Sequence, residues 1–330
     1  MAGIAVSALF LFLVFRKIDL DKMTAAFRGM DYRYLLPALV LTFVSYYLRA
    51  VRWKFLLLPI KRSSLSNLFS ATLIGYMGNN IFPARFGEFM RAYALARKEE
   101  IPTSSVFATL VVDRLCDGFS MLLVLVIAFF TVTLPPDKAA LHDKLVSGGY
   151  LMLGLYLVVI AFLVLLKKRT DWTIKLISVF LRPFPAGVSV KVSHMLLSFI
   201  HGIRLTASPS QFAGIVVSSL AIWATAIWPV DLLLRAFGLA MPLPASLFIM
   251  VFLVFAVMVP ASPGSVGTYE YAGAVALTAL GVNWELSVSI ALVIHALSFF
   301  PVIPVGLYCL WRDKLSVKKL TENKESGAPA

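Results

Sequence analysis

Long apolar runs alternate along this chain with short polar, basic segments. The runs at Leu35–Leu58, Thr103–Val132, Gly148–Leu166, Phe212–Gly238 and Glu285–Leu310 are long enough to cross about 30 Å of hydrocarbon as helices. Gly3–Phe15 is shorter and reads as a first span without a cleavable leader. Two further stretches, 65–97 and 245–281, are apolar but broken in the middle by glycine, proline and polar residues. The pattern predicts an all-α polytopic membrane protein.

The first break carries the most polar chemistry. Leu65–Met77 is too short to span, and Gly78, Asn79, Asn80 and Pro83 are expected to end it. Arg85, Glu88 and Arg91 then recur at i, i+3 and i+6, which puts them near one helix face with Glu88 in reach of both arginines. Two short helices around a charged tip predict a re-entrant hairpin, since irregular backbone at membrane depth must line a cavity or be buried in protein. A surface loop between ordinary helices is the simpler alternative. The second break repeats the design with Pro260, Pro263, Gly264 and Gly267, and a shift of 180 carries Pro83 onto Pro263 and Gly87 onto Gly267. The same shift carries 35–58 onto 215–238 and 103–130 onto 283–310. The expected organisation is therefore 1–34 (first span and polar loop), 35–132 (repeat one), 133–209 (linking span and amphipathic segment), 210–312 (repeat two) and 313–330 (tail). Each repeat is two spans flanking a hairpin.

Composition supports the membrane assignment. The chain is 60% hydrophobic and 14% charged with mean hydropathy +0.87, against about 45–50% and 25% in soluble domains. A net charge of +13 would suit nucleic acid, but the basic residues cluster between apolar runs, as orientation signals do, and no nucleic-acid partner is expected. Arg49, Arg52, Trp53 and Lys54 read as an interfacial belt, Lys191–Leu205 as an amphipathic helix at the cytoplasmic surface, and Arg312–Lys319 as the mark of a cytoplasmic C-terminus. Counting crossings from there inverts the second repeat relative to the first. The 16–33 loop, with five basic and three acidic residues, falls on the outer side against the rule. Cys116 and Cys309 lie in spans and read as small packing residues.

Two chemical readings stand side by side. Arg85 and Arg91, with a helix N-terminus near Ala84, suit a phosphate, and Asn79, Asn80, Ser265, Thr268, Tyr269 and Glu270 supply further polar groups to the same space. Alternatively Arg85, Glu88, Arg91, Asp113, Arg114 and Asp117 form a buried ion-pair network that ties hairpin to span. Glu270 balances a cationic head group, carries a coupling proton, caps a helix or pairs with Arg85; His295 titrates near neutrality or is a packing residue; Asp231 and Arg235 form a structural i, i+4 pair. No nucleotide loop, zinc spacing or nucleophile elbow is present, so no catalytic residue, metal or cofactor is expected.

The motifs Asn79–Arg91, Asp113-Arg114-Leu-Cys-Asp117, Pro260–Glu270 and Leu48-Arg49-Ala-Val-Arg52-Trp53 resemble the lysylphosphatidylglycerol synthase transmembrane-region family, described as flippase-like. Asp113 departs from the glutamate that pattern favours before the arginine. In bacterial resistance factors the domain is thought to move aminoacylated phosphatidylglycerol between leaflets, with aminoacyl transfer in a separate C-terminal domain that this chain lacks. The resemblance implies a prokaryotic inner-membrane translocase for an anionic phospholipid or a polyprenyl-phosphate lipid. The alternatives are a lipid-holding accessory protein and an intramembrane transferase using Asp113, Asp117 and His295. Expected partners are a membrane lipid, a second copy of the chain and a lipid-modifying enzyme.

Overall fold

The computed structural model describes residues 2–16, 18–82, 85–136, 139–168, 208–259 and 261–315. The amphipathic segment around Lys191–Leu205, most of the tail, and Pro83, Ala84 and Pro260 lie outside them.

Among the described residues the regular structure is all helical. In order they form α1 (Ala2–Phe15), α2 (Leu20–Gly29), α3 (Leu35–Leu57), α4 (Leu65–Ile81), α5 (Gly87–Glu99), α6 (Thr103–Thr131), α7 (Ala139–Lys168), α8 (Pro209–Ala236), α9 (Leu243–Met258), α10 (Thr268–Ala279), α11 (Trp284–Phe299) and α12 (Val302–Arg312). Three stretches are long and apolar enough to cross a membrane: Tyr32–Leu57, Pro209–Ala236 and Trp284–Arg312. The last contains a break at Phe300–Pro301 that the apolar pattern alone does not show. The helix α7 begins at Ala139, ahead of the apolar run Gly148–Leu166. The 16–33 segment does form a short amphipathic helix, α2, whose first amides are capped by the Asp19 carboxylate.

The two interrupted stretches are helix pairs. At 17 residues α4 is about 26 Å long, and α5 with 13 residues is shorter still. Gly78, Asn79 and Asn80 do not end α4, because its backbone hydrogen bonds continue to Phe82, whose amide donates to the Gly78 carbonyl at 2.9 Å. The interruption falls at Phe82–Phe86, with Arg85 in the left-handed region at φ 54°. Gly78 and Gly87 serve the approach of the two helices instead, since a Cβ on Gly87 would come within 1.9 Å of the Gly75 carbonyl oxygen. The second break, Val259–Gly267, is tighter. Gly264, Ser265 and Gly267 all adopt positive φ, and Pro263–Ser265 closes a 3₁₀ turn.

Packing forms two main groups that exchange their ends, and a third core of Met121, Leu125, Ile222, Trp223 and Val251 joins α6 to α8 and α9 between them. One core joins Trp53, Leu57, Leu68, Ile74, Met90, Leu95 and Leu110 of α3–α6 with Val302 and Cys309 of α12. A second joins Leu234, Phe248, Leu253, Leu277, Ile290 and Ile294 of α8–α11. The N-terminal α1 joins the second group, where Val14 packs with Ala274 and Val288 and the Ser7 hydroxyl donates to Ser262 at 2.8 Å. The C-terminal α12 joins the first group, and Asp313 at its end takes hydrogen bonds from Lys98 of α5, at 2.6 Å, and from Ser70 of α4. Asp231 and Arg235 form the expected pair at 2.8 Å.

The α4–α12 contact has no slack. A Cβ on Gly306 would sit 2.4 Å from Met77 Cβ and 2.8 Å from the Leu73 carbonyl oxygen. Gly306→Ala is expected to destabilise the fold by about 1–3 kcal/mol, seen as a lower midpoint of thermal unfolding in detergent; an unchanged midpoint would show that α12 moves aside without cost.

Candidate functional site

Asp113 on α6 sits fully buried between two guanidiniums. Its Oδ1 accepts from Arg52 Nε at 2.8 Å and its Oδ2 from Arg91 Nη1 at 3.0 Å. The Arg91 guanidinium carbon lies over the Trp53 ring, 4.1 Å from its centroid, and Trp53 Nε1 donates to Thr109 at 2.8 Å. One helix turn on, Asp117 accepts from Arg52 Nη2 at 2.6 Å and Arg49 Nη1 at 3.0 Å, and Arg114 Nη1 pairs with it at 3.0 Å as an ion pair. Arg114 also faces Glu88 at 3.4 Å, as an ion pair without a hydrogen bond. The spacing of Arg49 and Arg52 on α3 and of Asp113 and Asp117 on α6 places each pair on one helix face, so the helices lock through matched charges.

The inner part of this network is closed and the outer part is open. Arg52, Arg91 and Asp113 are at most 1% exposed, whereas the Arg114 side chain is 36% exposed. Arg49, Arg114 and Asp117 line a cavity of about 450 Å³ with Tyr46, Tyr76, Arg85 and Tyr269; its other wall is apolar, from Val230 and Leu233 of α8 and Met250, Leu253 and Val254 of α9. A second cavity of about 410 Å³ shares Tyr76, Asn80, Arg85, Arg114 and Phe299 with the first and continues past Asn79 and Glu88 to the Ala261–Ser265 turn. The two breaks meet across it, because Arg85 Nη2 donates to the Val257 carbonyl at the end of α9 at 2.8 Å. Several buried polar atoms around this space have no hydrogen-bond partner: Asn79 Oδ1, Glu88 Oε2 and Trp223 Nε1. Four guanidiniums face three carboxylates in the network, and Arg85 adds a fifth cation at the cavity. The space carries a net positive charge.

Behind the second break, Glu270 caps α10. Its Oε2 accepts from the Gly267 amide at 2.7 Å, and its Oε1 meets His295 Nδ1 at 2.5 Å. His295 Nε2 donates to the Gly264 carbonyl at 2.9 Å. Tyr269 stacks on the imidazole at 4.5 Å between centroids.

The expected residues thus separate into two sets. Asn79, Asn80, Arg85, Glu88, Arg114, Asp117, Pro263, Gly264, Ser265 and Tyr269 line the cavities. Arg91 and Asp113 do not, because stacking on Trp53 and the mutual ion pair turn them into the protein. Thr268, Glu270 and His295 lie behind the turn, with the Thr268 hydroxyl donating to the Ser265 carbonyl at 2.9 Å. Glu88 engages Arg114 in place of Arg85 and Arg91, and Glu270 engages His295 in place of Arg85. Arg49 and Arg52 form no interfacial belt: both are drawn inward by Asp117 and Asp113. The signal for that was the matched i, i+3 and i, i+4 spacing of charges inside two apolar runs. No His, Cys, Asp and Glu cluster able to hold a metal occurs among the described residues.

Helices of this apolarity around a charged internal cavity define a polytopic α-helical membrane protein. The family described as lysylphosphatidylglycerol synthase TM region matches residues 1–306, and the chain belongs to it. Among similar proteins are one of Haloferax volcanii named glycosyltransferase AglD, 28% identical over 90% of this chain and 51% of its own, and a UPF0104 membrane protein of Methanothermobacter thermautotrophicus, 26% identical over 86% of each. A third, UPF0104 membrane protein PH1989 of Pyrococcus horikoshii, is 24% identical over 87% of this chain and 89% of its own. The chain spans about half the length of the Haloferax relative. No solved structure matches it.

The buried and exposed parts of the network respond differently to substitution. Asp113→Asn leaves Arg52 and Arg91 buried with their shared countercharge removed and is expected to cost about 3–5 kcal/mol. Arg114→Gln, at the exposed end, should cost about 1 kcal/mol or less. Thermal unfolding of both variants in one detergent checks the contrast; equal midpoints would contradict it.

Proposed function

We propose that the protein is a lipid translocase that passes an anionic phospholipid or a polyprenyl-phosphate lipid between leaflets, with the head group in the cavity between the two helix breaks. In this reading α4–α5 and α9–α10 are re-entrant hairpins of two inverted repeats in a prokaryotic cytoplasmic membrane, with the C-terminus in the cytoplasm. The supporting observation is the cavity's composition: an excess of guanidinium donors from Arg49, Arg85 and Arg114 beside an apolar wall from α8 and α9. The first suits a phosphate and the second an acyl or prenyl chain. Arginine forks match phosphate oxygens bidentately, and the carboxylates keep the forks apart and aimed while the cavity is empty.

A second reading follows from the relative named as a glycosyltransferase, which matches over most of this chain yet is about twice as long. There the same cavity holds a lipid for a transferase. Translocation needs access from both leaflets, whereas holding needs only one.

Arg85 can be tested without disturbing the fold, because among the described residues its side chain donates to the Val257 carbonyl and takes no part in the buried network. In proteoliposomes carrying fluorescent phosphatidylglycerol, wild type is expected to expose inner-leaflet probe to a membrane-impermeant quencher, and Arg85→Gln to slow this about tenfold or more while inserting normally. Wild type equal to empty liposomes sinks translocation of this lipid. Arg85→Gln equal to an active wild type removes Arg85 from the path.

A further inference from the structure

The turn that closes the second break is held by a pair of titratable side chains that the head-group site does not use. Glu270 and His295 are 4% and 6% exposed, on different helices, and both ends of their contact run to the backbone of the turn. The Gly264 carbonyl can only accept, so His295 Nε2 carries a hydrogen. The Gly267 amide can only donate, so Glu270 Oε2 accepts. Between Nδ1 and Oε1, at 2.5 Å, there is then room for one proton. Imidazolium with carboxylate and imidazole with carboxylic acid are the two ways of writing that state, and both leave the pair with no net charge.

Neither neighbouring protonation state fits this geometry. A second proton makes the pair positive and puts an acid O–H on Glu270, where it meets the Gly267 N–H or the Nδ1–H, donor against donor. Loss of the shared proton makes the pair negative and sets the Nδ1 lone pair against a carboxylate oxygen. Each change breaks a bond to a turn whose Gly264, Ser265 and Gly267 all hold positive φ. The turn is part of the cavity wall, with Gly264 and Ser265 beside Arg85.

We propose that Glu270 and His295 form a proton-binding site holding one shared proton, whose gain or loss moves the 262–267 turn and makes passage through the cavity responsive to proton concentration. The effect on passage rests on the translocase reading; the proton site does not. Titratable and charged neighbours among the described residues are few. Tyr269 of α10 stacks on the imidazole, Tyr46 of α3 hydrogen-bonds the Ser298 carbonyl at 3.0 Å on α11, and Arg85 is the cation on the cavity side of the turn. The facing stretch of α1 contributes only the Ser7 hydroxyl, bound to Ser262.

Hydrogen exchange of the 262–271 amides in the full chain in detergent, corrected for intrinsic exchange rates, reads the turn without any lipid assay. Wild-type protection is expected to change about fivefold or more across a scan from about pH 4 to about pH 10, as the pair gains or loses the shared proton. Glu270→Gln can still accept from Gly267 and donate to Nδ1 with no exchangeable acid proton, so its protection should stay level across that interval. A level wild-type profile overturns the proposal, as does a Glu270→Gln profile that follows a changing wild type. His295→Asn, which loses the contact with Gly264, should be poorly protected at every pH; wild-type protection in that variant also overturns it. A wild type that shows the pH response yet moves no lipid supports the proton site and sinks only the translocase reading.

Discussion

The burial of the Asp113 carboxylate between Arg52 and Arg91 fixes the relative placement of α3, α5 and α6. Charges taken so far from water are not a source of net stability, because their desolvation offsets most of the attraction they regain. Their effect is positional. Asp117, one turn along α6, shares Arg52 with Asp113 and also faces Arg49 and Arg114, and Arg114 in turn faces Glu88 on α5. The closed end of the network sets the geometry, and the open end presents donors in excess of carboxylates. Chemistry at the cavity is in this sense inherited from packing beneath it.

The second half works chiefly through its backbone turn. Gly264, Ser265 and Gly267 take conformations that L side chains disfavour, and the turn keeps them because Glu270, His295 and Ser7 of α1 hold it. Exchanged ends help bind the halves, with α1 on the second group and α12 on the first, and the core of α6, α8 and α9 spans both.

Much of this was legible in the residues. Apolar runs of span length, two broken stretches and charges set within them pointed to helices around an internal polar space, and the breaks lie within the stretches that carried the signal. What spacing along one helix could not show was partner choice across helices. Arg85, Glu88 and Arg91 share a face by count, yet Arg91 turns to Trp53 and Asp113 while Glu88 meets Arg114, because the flat guanidinium stacks best on the indole beside a buried carboxylate. Arg49 and Arg52 looked like belt residues at a helix end until α6 supplied their carboxylates. Gly78 looked like a breaker, but a helix against a close neighbour tolerates glycine for the contact it permits.

The central claim is that the cavity between the breaks takes an anionic lipid head group, and native mass spectrometry of the purified chain with phosphatidylglycerol tests it most directly. Wild type should retain this lipid in preference to phosphatidylcholine, and a protein carrying both Arg85→Gln and Arg114→Gln should lose about tenfold or more of that preference while remaining folded. Equal retention of the two lipids by wild type, or an unaltered preference in the double variant, would contradict it.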